Sequence, residues 1–250
     1  MDLGLSGRVY VVTGGSKGLG FATAAALAGD GARVVLSSRN PDHVAAAVER
    51  LGGAPGVVGV PADLAAPETA QRLADAAHEH FGRLDGALIS VGGPPPGTAA
   101  SVSDEQWRSA FESVFLGAVR GVRTLAGRLS GDAAIGMVLS SSVRSPITGL
   151  GISNGLRPGL AMVAKDMADE FGPRGVRVFG LLPGRIATGR MRQLDEADPS
   201  GRERAVEAIP LRRYGDPEEF GRTAAFLLSP AAGYVTGSVV AVDGGALRAL

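Results

Sequence analysis

No cysteine occurs in the 250 residues, which excludes disulfide frameworks, thiolate nucleophiles and Cys-ligated zinc. Histidine is nearly as scarce. His43, His78 and His80 fall on predicted outer helices and read as surface residues, so no metal site is expected. No apolar run reaches the roughly 18 residues that would span a bilayer. Neither sign of charge dominates, with 25 acidic against 25 basic residues, so nothing draws the chain to nucleic acid or to a membrane. The start, Met1-Asp2-Leu3-Gly4-Leu5, lacks the basic and apolar blocks of a signal peptide. A soluble, cytoplasmic protein is the expectation. The length suits one domain over residues 1–250, large enough to bury a full core.

Glycine is what the chain has in excess. Its 38 residues are about twice the ordinary share of roughly 7%. Disorder would dilute the aliphatics, yet 45% of the residues are hydrophobic, so the glycines point to tight turns and close backbone approaches. Short aliphatic runs predict strands at Arg8–Thr13, Arg33–Ser37, Val57–Val60, Gly86–Val91, Ala134–Ser140, Arg177–Leu182 and Ser238–Val242. They are apolar on both faces, as in a covered parallel sheet. Amphipathic, Ala-rich stretches predict helices at Gly18–Asp30, Pro41–Leu51, Pro67–Phe81, Asp104–Leu129, Asn154–Gly172 and Pro217–Leu228. Such alternation implies right-handed βαβ crossovers. The fold expected is α/β, a doubly wound seven-stranded parallel sheet of Rossmann type in three layers.

The first strand runs straight into Thr13-Gly14-Gly15-Ser16-Lys17-Gly18-Leu19-Gly20 and then a helix. Glycines there permit a tight turn and close approach to a pyrophosphate, and the helix N-terminus offers free N–H groups. A purely structural turn is the plain alternative. An NTPase loop is excluded because Lys17 is followed by Gly18, not Ser or Thr. Gly14–Gly18 and Gly151–Gly155 also spell Gly-x-Ser-x-Gly, a hydrolase elbow. No histidine follows Ser153, and His80 precedes its strand at the wrong pole, so a hydrolase is disfavoured.

The Gly-x3-Gly-x-Gly spacing resembles the short-chain dehydrogenase/reductase family. The resemblance extends over nearly the whole chain, through Leu84-Asp85, Gly92, Trp107, Gly117, Lys165, Pro183-Gly184, Ile186, Thr188, Ile209-Pro210-Leu211, Thr236-Gly237 and Asp243-Gly244-Gly245. Its flavour is that of β-ketoacyl-carrier-protein reductase-like members. It implies a dinucleotide held by Gly14, Ser16, Lys17, Gly18, Leu19, Gly20, Ser38, Arg39, Asp63, Leu64, Gly92, Arg157, Pro183, Gly184, Ile186 and Thr188. The second strand ends Leu36-Ser37-Ser38-Arg39 with no acid before Asp42, where an NAD site keeps a carboxylate. Arg39 and Lys17 can instead pair with a 2′-phosphate, so NADP is favoured over NAD. The alternatives stay open: Arg39 as a solvated loop residue, and Asp63 as a loop cap.

The catalytic positions depart from the pattern. The family carries Asn, Ser and Tyr-x-x-x-Lys. Here the tyrosines stand at 10, 214 and 234 and the lysines at 17 and 165, so no Tyr-x-x-x-Lys exists. Counting places Ser153 at the Tyr position, Arg157 at the Lys position, Val114 at the Asn position, and Ser140 at the Ser position, with the Ser140-Ser141-Ser142 run leaving the register open. A serine hydroxyl is a poor acid, and Arg157 cannot be deprotonated. Ser140 and Ser153 can polarise a carbonyl, and Arg157 can stabilise an oxyanion. Arg144 follows the serine run, and Arg185, Arg190 and Arg192 follow the Pro183-Gly184 turn in the segment that forms a lid in relatives, roughly residues 185–212. All four are candidates for an anionic substrate, and solvated arginines are the alternative in a chain with 23 Arg and 2 Lys.

Three functions remain open. One is an NADP(H)-dependent oxidoreductase acting on the carbonyl or hydroxyl of a small-molecule or carrier-linked substrate through an atypical site. Another is a non-redox isomerase or lyase on the same scaffold. The third is a catalytically weak nucleotide-binding protein. The fold alone does not choose between them. The resemblance also implies a homodimer or homotetramer packed through the long helices.

Overall fold

The computed structural model describes residues 2–53, 55–129, 131–197 and 199–249, without the side chains at 190, 193, 194, 197, 199 and 200. Among the described residues, seven strands form one parallel sheet. They are β1 Val9–Thr13, β2 Arg33–Ser38, β3 Val57–Pro61, β4 Gly86–Ile89, β5 Ala133–Val138, β6 Val176–Pro183 and β7 Val239–Val242. Their order is β3-β2-β1-β4-β5-β6-β7, so the winding direction switches between β1 and β4. The Rossmann-type fold read from the alternation of elements is the fold observed.

Helices cover both faces because the central strands are buried on both. Val9–Thr13 and Ala133–Val138 expose no residue. On one face pack α3 Thr69–Phe81, α4 Asp104–Ala110, α5 Gly117–Ala126 and α6 Gly151–Phe171. On the other pack α1 Gly18–Gly29, α2 Pro41–Arg50 and α9 Pro217–Leu228. Local chemistry sets several starts. Asn40 Oδ1 accepts from the His43 N–H at 3.0 Å ahead of Pro41, and Ser103 and Gln106 cap each other at α4. At the opposite pole from the switch point, the buried Asp85 carboxylate accepts from Val9 N–H at 2.8 Å and from Arg83, tying the start of β4 to β1.

Three departures from the sequence reading matter for the site. The stretch Asp104–Leu129 is not one helix: a π-helical turn, Phe111–Leu116, separates α4 from α5. α6 begins at Gly151, before Asn154, because Gly151 N–H donates to Gly97 O at 2.8 Å while the Asn154 side chain bonds both polar groups of Ile147. The lid segment contains two helices that the apolar periodicity does not reveal, α7 Gly189–Ala197 and α8 Pro199–Ala208. Among the described residues, no helix is long and apolar enough to cross a membrane.

Candidate active site

A cleft of about 2060 Å³ crosses the carboxyl ends of the strands at the switch point. It is walled by Thr13 of β1, Ser37 and Ser38 of β2, Ser90 beyond β4, Val138 and Ser140 at the end of β5, and Pro183 of β6. In doubly wound sheets this is the place where ligands bind.

At its floor the Thr13 hydroxyl donates to Ser90 O at 3.0 Å and accepts from Ser90 N–H at 2.8 Å, locking β1 to the chain beyond β4. Gly14 follows with φ +59°, and a Cβ there would lie 2.7 Å from Ser90 O. Gly20 presses on the same loop, where a Cβ would collide with Gly14 O. Close approach at 14 and 20 is therefore internal packing of the turn, and it is what brings the loop flat under the cleft. The first turn of α1 has no side-chain cap and no acidic residue. Its N–H groups, together with Ser16, Lys17, Gly18 and Leu19 on the cleft wall, suit a pyrophosphate.

Beyond this loop the cleft turns cationic. Lys17 and Arg39 are exposed along its wall. Ser38 Oγ is buried there and has no hydrogen-bond partner among the described residues. Asp63 lines the same end and caps its own loop, its Oδ1 accepting from Ala65 N–H at 3.1 Å. Leu64 stands beside it. Two wall residues escape the sequence pattern. His43 sits in the first turn of α2, which starts at the cleft, and Arg50 lies with its guanidinium 4.0 Å from the Phe21 ring. For His43 a signal exists, because the turn after β2 necessarily opens at the carboxyl edge.

At the other end, α6 brings Ser153 and Arg157 onto one face, one turn apart. Both are buried, and both line the cleft. Arg157 Nη1 donates to Val138 O at 2.7 Å and Nη2 to Gly92 O at 3.5 Å, so the guanidinium bridges α6 to the ends of β5 and β4. Gly92 itself has open space where a Cβ would be. Ser140 lines the cleft, yet its Oγ caps a 3₁₀ turn, Ser141–Val143, by accepting from Ser142 N–H at 3.1 Å. The hydroxyl against Ser153 belongs to Ser142, at 3.2 Å between the two Oγ atoms. The serine run thus divides: thirteen-residue spacing selects Ser140, while contact selects Ser142. Val114 lines the wall from the π turn, with Ser113 beside it.

None of the three tyrosines lines this cleft. Tyr10 is buried in the core, Tyr234 is fully exposed, and Tyr214 OH donates to Asp195 at 2.9 Å in the lid. Burial and Asp195 push the Tyr214 phenol up, although Arg185 opposes this. The Pro183–Thr188 segment closes the far wall. There Gly184 packs where a Cβ would lie 2.6 Å from Asp243 Cβ, Ile186 is buried, and Thr188 Oγ1 accepts from Met191 N–H. The four candidate arginines separate. Arg185 lines the cleft but bonds Tyr214 OH at 3.2 Å and lies 3.6 Å from Asp195. Arg192 lines it and is exposed. Arg144 is exposed and off the cleft wall, which argues against its reading as a substrate contact. The Arg190 side chain lies outside the described residues.

Comparison with known proteins agrees with this architecture. A family model described as enoyl-(acyl carrier protein) reductase matches residues 14–246. An uncharacterized oxidoreductase of Mycobacterium tuberculosis is 35% identical over 246 residues, covering 96% of this chain and 92% of its own. The L-sorbose reductase of Gluconobacter frateurii, solved with NADPH and L-sorbose, is 31% identical with a TM-score of 0.91 and full coverage of both chains. A short chain oxidoreductase of Pseudomonas aeruginosa PAO1, described as containing an atypical catalytic center, is 30% identical with a TM-score of 0.90, again over both full chains. By the match across residues 14–246 and the identity to full-length relatives, this chain belongs to the short-chain dehydrogenase/reductase family of oxidoreductases.

Proposed function

We propose that the chain is an NADP(H)-dependent oxidoreductase acting on a carbonyl or hydroxyl group of a small-molecule or carrier-linked substrate, with Ser153 and Arg157 standing where the family carries Tyr and Lys. One observation supports this above the rest. A single continuous cleft gathers the glycine loop, the cationic pair Lys17 and Arg39, and the Ser153–Arg157 face of α6. NADPH, when bound, supplies the hydride. The residues fit it: an uncapped helix N-terminus for the pyrophosphate, a buried unpartnered Ser38 hydroxyl, and two cations where a 2′-phosphate would lie. Preference for NADP over NAD rests on the same pair of cations and on the missing carboxylate.

Ser153 faces the cleft with its hydroxyl held from behind, which suits a donor to a carbonyl oxygen. Arg157 adds a fixed positive charge in a buried position, where charge stabilisation of a developing oxyanion is strongest. Water entering the cleft completes the proton balance, because serine is a far weaker acid than tyrosine. Arg192, exposed on the lid side of the cleft, supports an anionic substrate, while Arg185 beside it is paired with Asp195. Pairing of two chains through α4, α5 and α6 is favoured by exposed Met162 and by Phe111, which stacks on Phe115 at 5.2 Å. A second reading, a nucleotide-binding protein with little turnover, draws on the absence of any tyrosine from the cleft.

Titration with NADPH, followed by a panel of carbonyl compounds monitored through loss of nicotinamide absorbance, tests the proposal. Saturable binding with consumption of NADPH is the expected result. Binding with no consumption across neutral and anionic carbonyls would leave the second reading standing. Substrate conversion without NADPH consumption would make the chain a non-redox enzyme.

A further inference from the structure

The Ser142 hydroxyl is buried at 4% exposure directly behind Ser153 and does not itself reach the cleft wall. It has one proton and two acceptors within range, Ser153 Oγ at 3.2 Å and Ser153 O at 3.4 Å. The second acceptor is a backbone carbonyl inside α6, at the position that takes the Arg157 N–H in the helical ladder. Ser153 Oγ is the nearer acceptor and has no helical partner. When Ser142 donates to it, the Ser153 proton is left to point away from Ser142, toward the cleft. When Ser142 turns to the carbonyl, its own oxygen captures the Ser153 proton, and Ser153 then offers the cleft only an acceptor. The rotation of one buried hydroxyl thus decides which role Ser153 plays.

We infer that Ser142 is a positioning residue that orients the Ser153 hydroxyl as a donor into the cleft, while Ser140 acts one step further back by capping the turn that carries Ser142. The inference rests on the reading of Ser153 as the substrate-facing hydroxyl. The chain of bonds runs from Ser142 N–H to Ser140 Oγ at 3.1 Å, and from Ser142 Oγ to Ser153 Oγ. A hydroxyl that accepts a hydrogen bond becomes a better donor, so the pair partly offsets the weak acidity of a lone serine. The 3₁₀ turn at Ser141–Val143 sets this geometry, because it lifts Ser142 out of the line of β5 and against α6.

The absence of cysteine makes a clean test possible, since Ser153→Cys installs the only thiol in the chain. Its pKa is read from thiolate ultraviolet absorbance against pH, without reagent access or turnover. Ser142→Ala in that background is expected to raise the thiol pKa by about 1–2 units, the loss of one hydrogen bond to a charged group. Ser142→Thr, which keeps the hydroxyl, is expected to restore it. Ser140→Ala is expected to move it by less than Ser142→Ala does. An unchanged pKa in Ser142→Ala, or a larger shift in Ser140→Ala, would overturn the inference. NADPH titration of the same variants separates this outcome from the function proposed above. Unaltered NADPH binding with a shifted thiol supports both, whereas lost NADPH binding in the unsubstituted protein sinks the cofactor reading and leaves the thiol result standing. With a turned-over carbonyl in hand, Ser142→Ala is expected to lower kcat more than it raises KM.

Discussion

Arg39 is exposed at the end of β2, with no acid between it and Asp42. A guanidinium there has little to do in the free protein, and a doubly charged 2′-phosphate would give it a charge-assisted pair. Arg39→Ala is expected to weaken NADPH binding on the order of tenfold to a hundredfold, with little change for NADH. Equal losses for both nucleotides in a fluorescence titration would show that Arg39 does not read that phosphate. Gly14 presents the opposite case, a residue defined by what it lacks. Its φ of +59°, and the 2.7 Å that would separate a Cβ from Ser90 O, leave no room for a side chain. Gly14→Val is expected to abolish NADPH binding and to lower Tm by about 2–8 °C, from a backbone penalty of roughly 1–2 kcal/mol. Retained affinity in calorimetry would refute the role of the loop.

Among the elements, the lid is held in part by side-chain contacts around Tyr214. Tyr214 lies between the Arg185 and Arg202 guanidinium groups, 5.9 Å and 5.6 Å from its ring, and donates its hydroxyl to Asp195 of α7. These contacts tie the segment leaving β6 to both lid helices. Removing the hydroxyl should free the lid without disturbing the sheet. Tyr214→Phe is expected to speed tryptic cleavage within residues 189–208 by about fivefold, since the lost bond contributes about 1 kcal/mol to a local opening. An unchanged cleavage rate would mean that the ring contacts alone hold the lid. The π-helical turn works differently. It is an interruption inside a helix, and it delivers Ser113 and Val114 to the cleft wall.

At the scale of the whole molecule, two apolar layers clamp the sheet, and Tyr10 lies fully buried between β1 and α9. Burial, reinforced by Asp85 and opposed by Arg8 and Arg177, pushes its phenol from 10.0 up to about 12. The folded state therefore holds this proton longer than the unfolded chain. Below pH 10.0 both states keep it and the contribution is whole; as pH rises toward about 12, the unfolded chain ionises first and stability falls. Urea unfolding at about pH 11 against about pH 9 should cost the unsubstituted protein about 1.4 kcal/mol more than Tyr10→Phe. Parallel alkaline losses in the two proteins would contradict the assignment. The bond of Tyr10 OH to Leu228 O is long, at 3.4 Å, so Tyr10→Phe should cost little at neutral pH.

The glycine loop, the strand succession and the missing Tyr-x-x-x-Lys are legible in the chain because each is a local pattern. A strand apolar on both faces, or a turn that only glycine can make, is imposed by neighbours a few residues away. The lid helices are not legible, because polar segments such as Gly189–Ala197 carry too few apolar residues to show a helical period and are held by contacts to Arg185 and Tyr214 instead. The break in Asp104–Leu129 and the early start of α6 escape for a related reason: their causes, such as Gly97 O meeting Gly151 N–H, lie far away in the sequence. The serine run makes the division plain. Counting along the chain selects Ser140, since spacing is all that a one-dimensional pattern contains. Only the tertiary structure, by turning the chain through a 3₁₀ helix and packing it on α6, decided that Ser142 meets Ser153. Sequence by itself determined the fold, the glycine loop and which of the family's usual groups are missing. Which hydroxyl faces which was decided by packing between elements distant in sequence, where contact geometry and not residue order sets the partner.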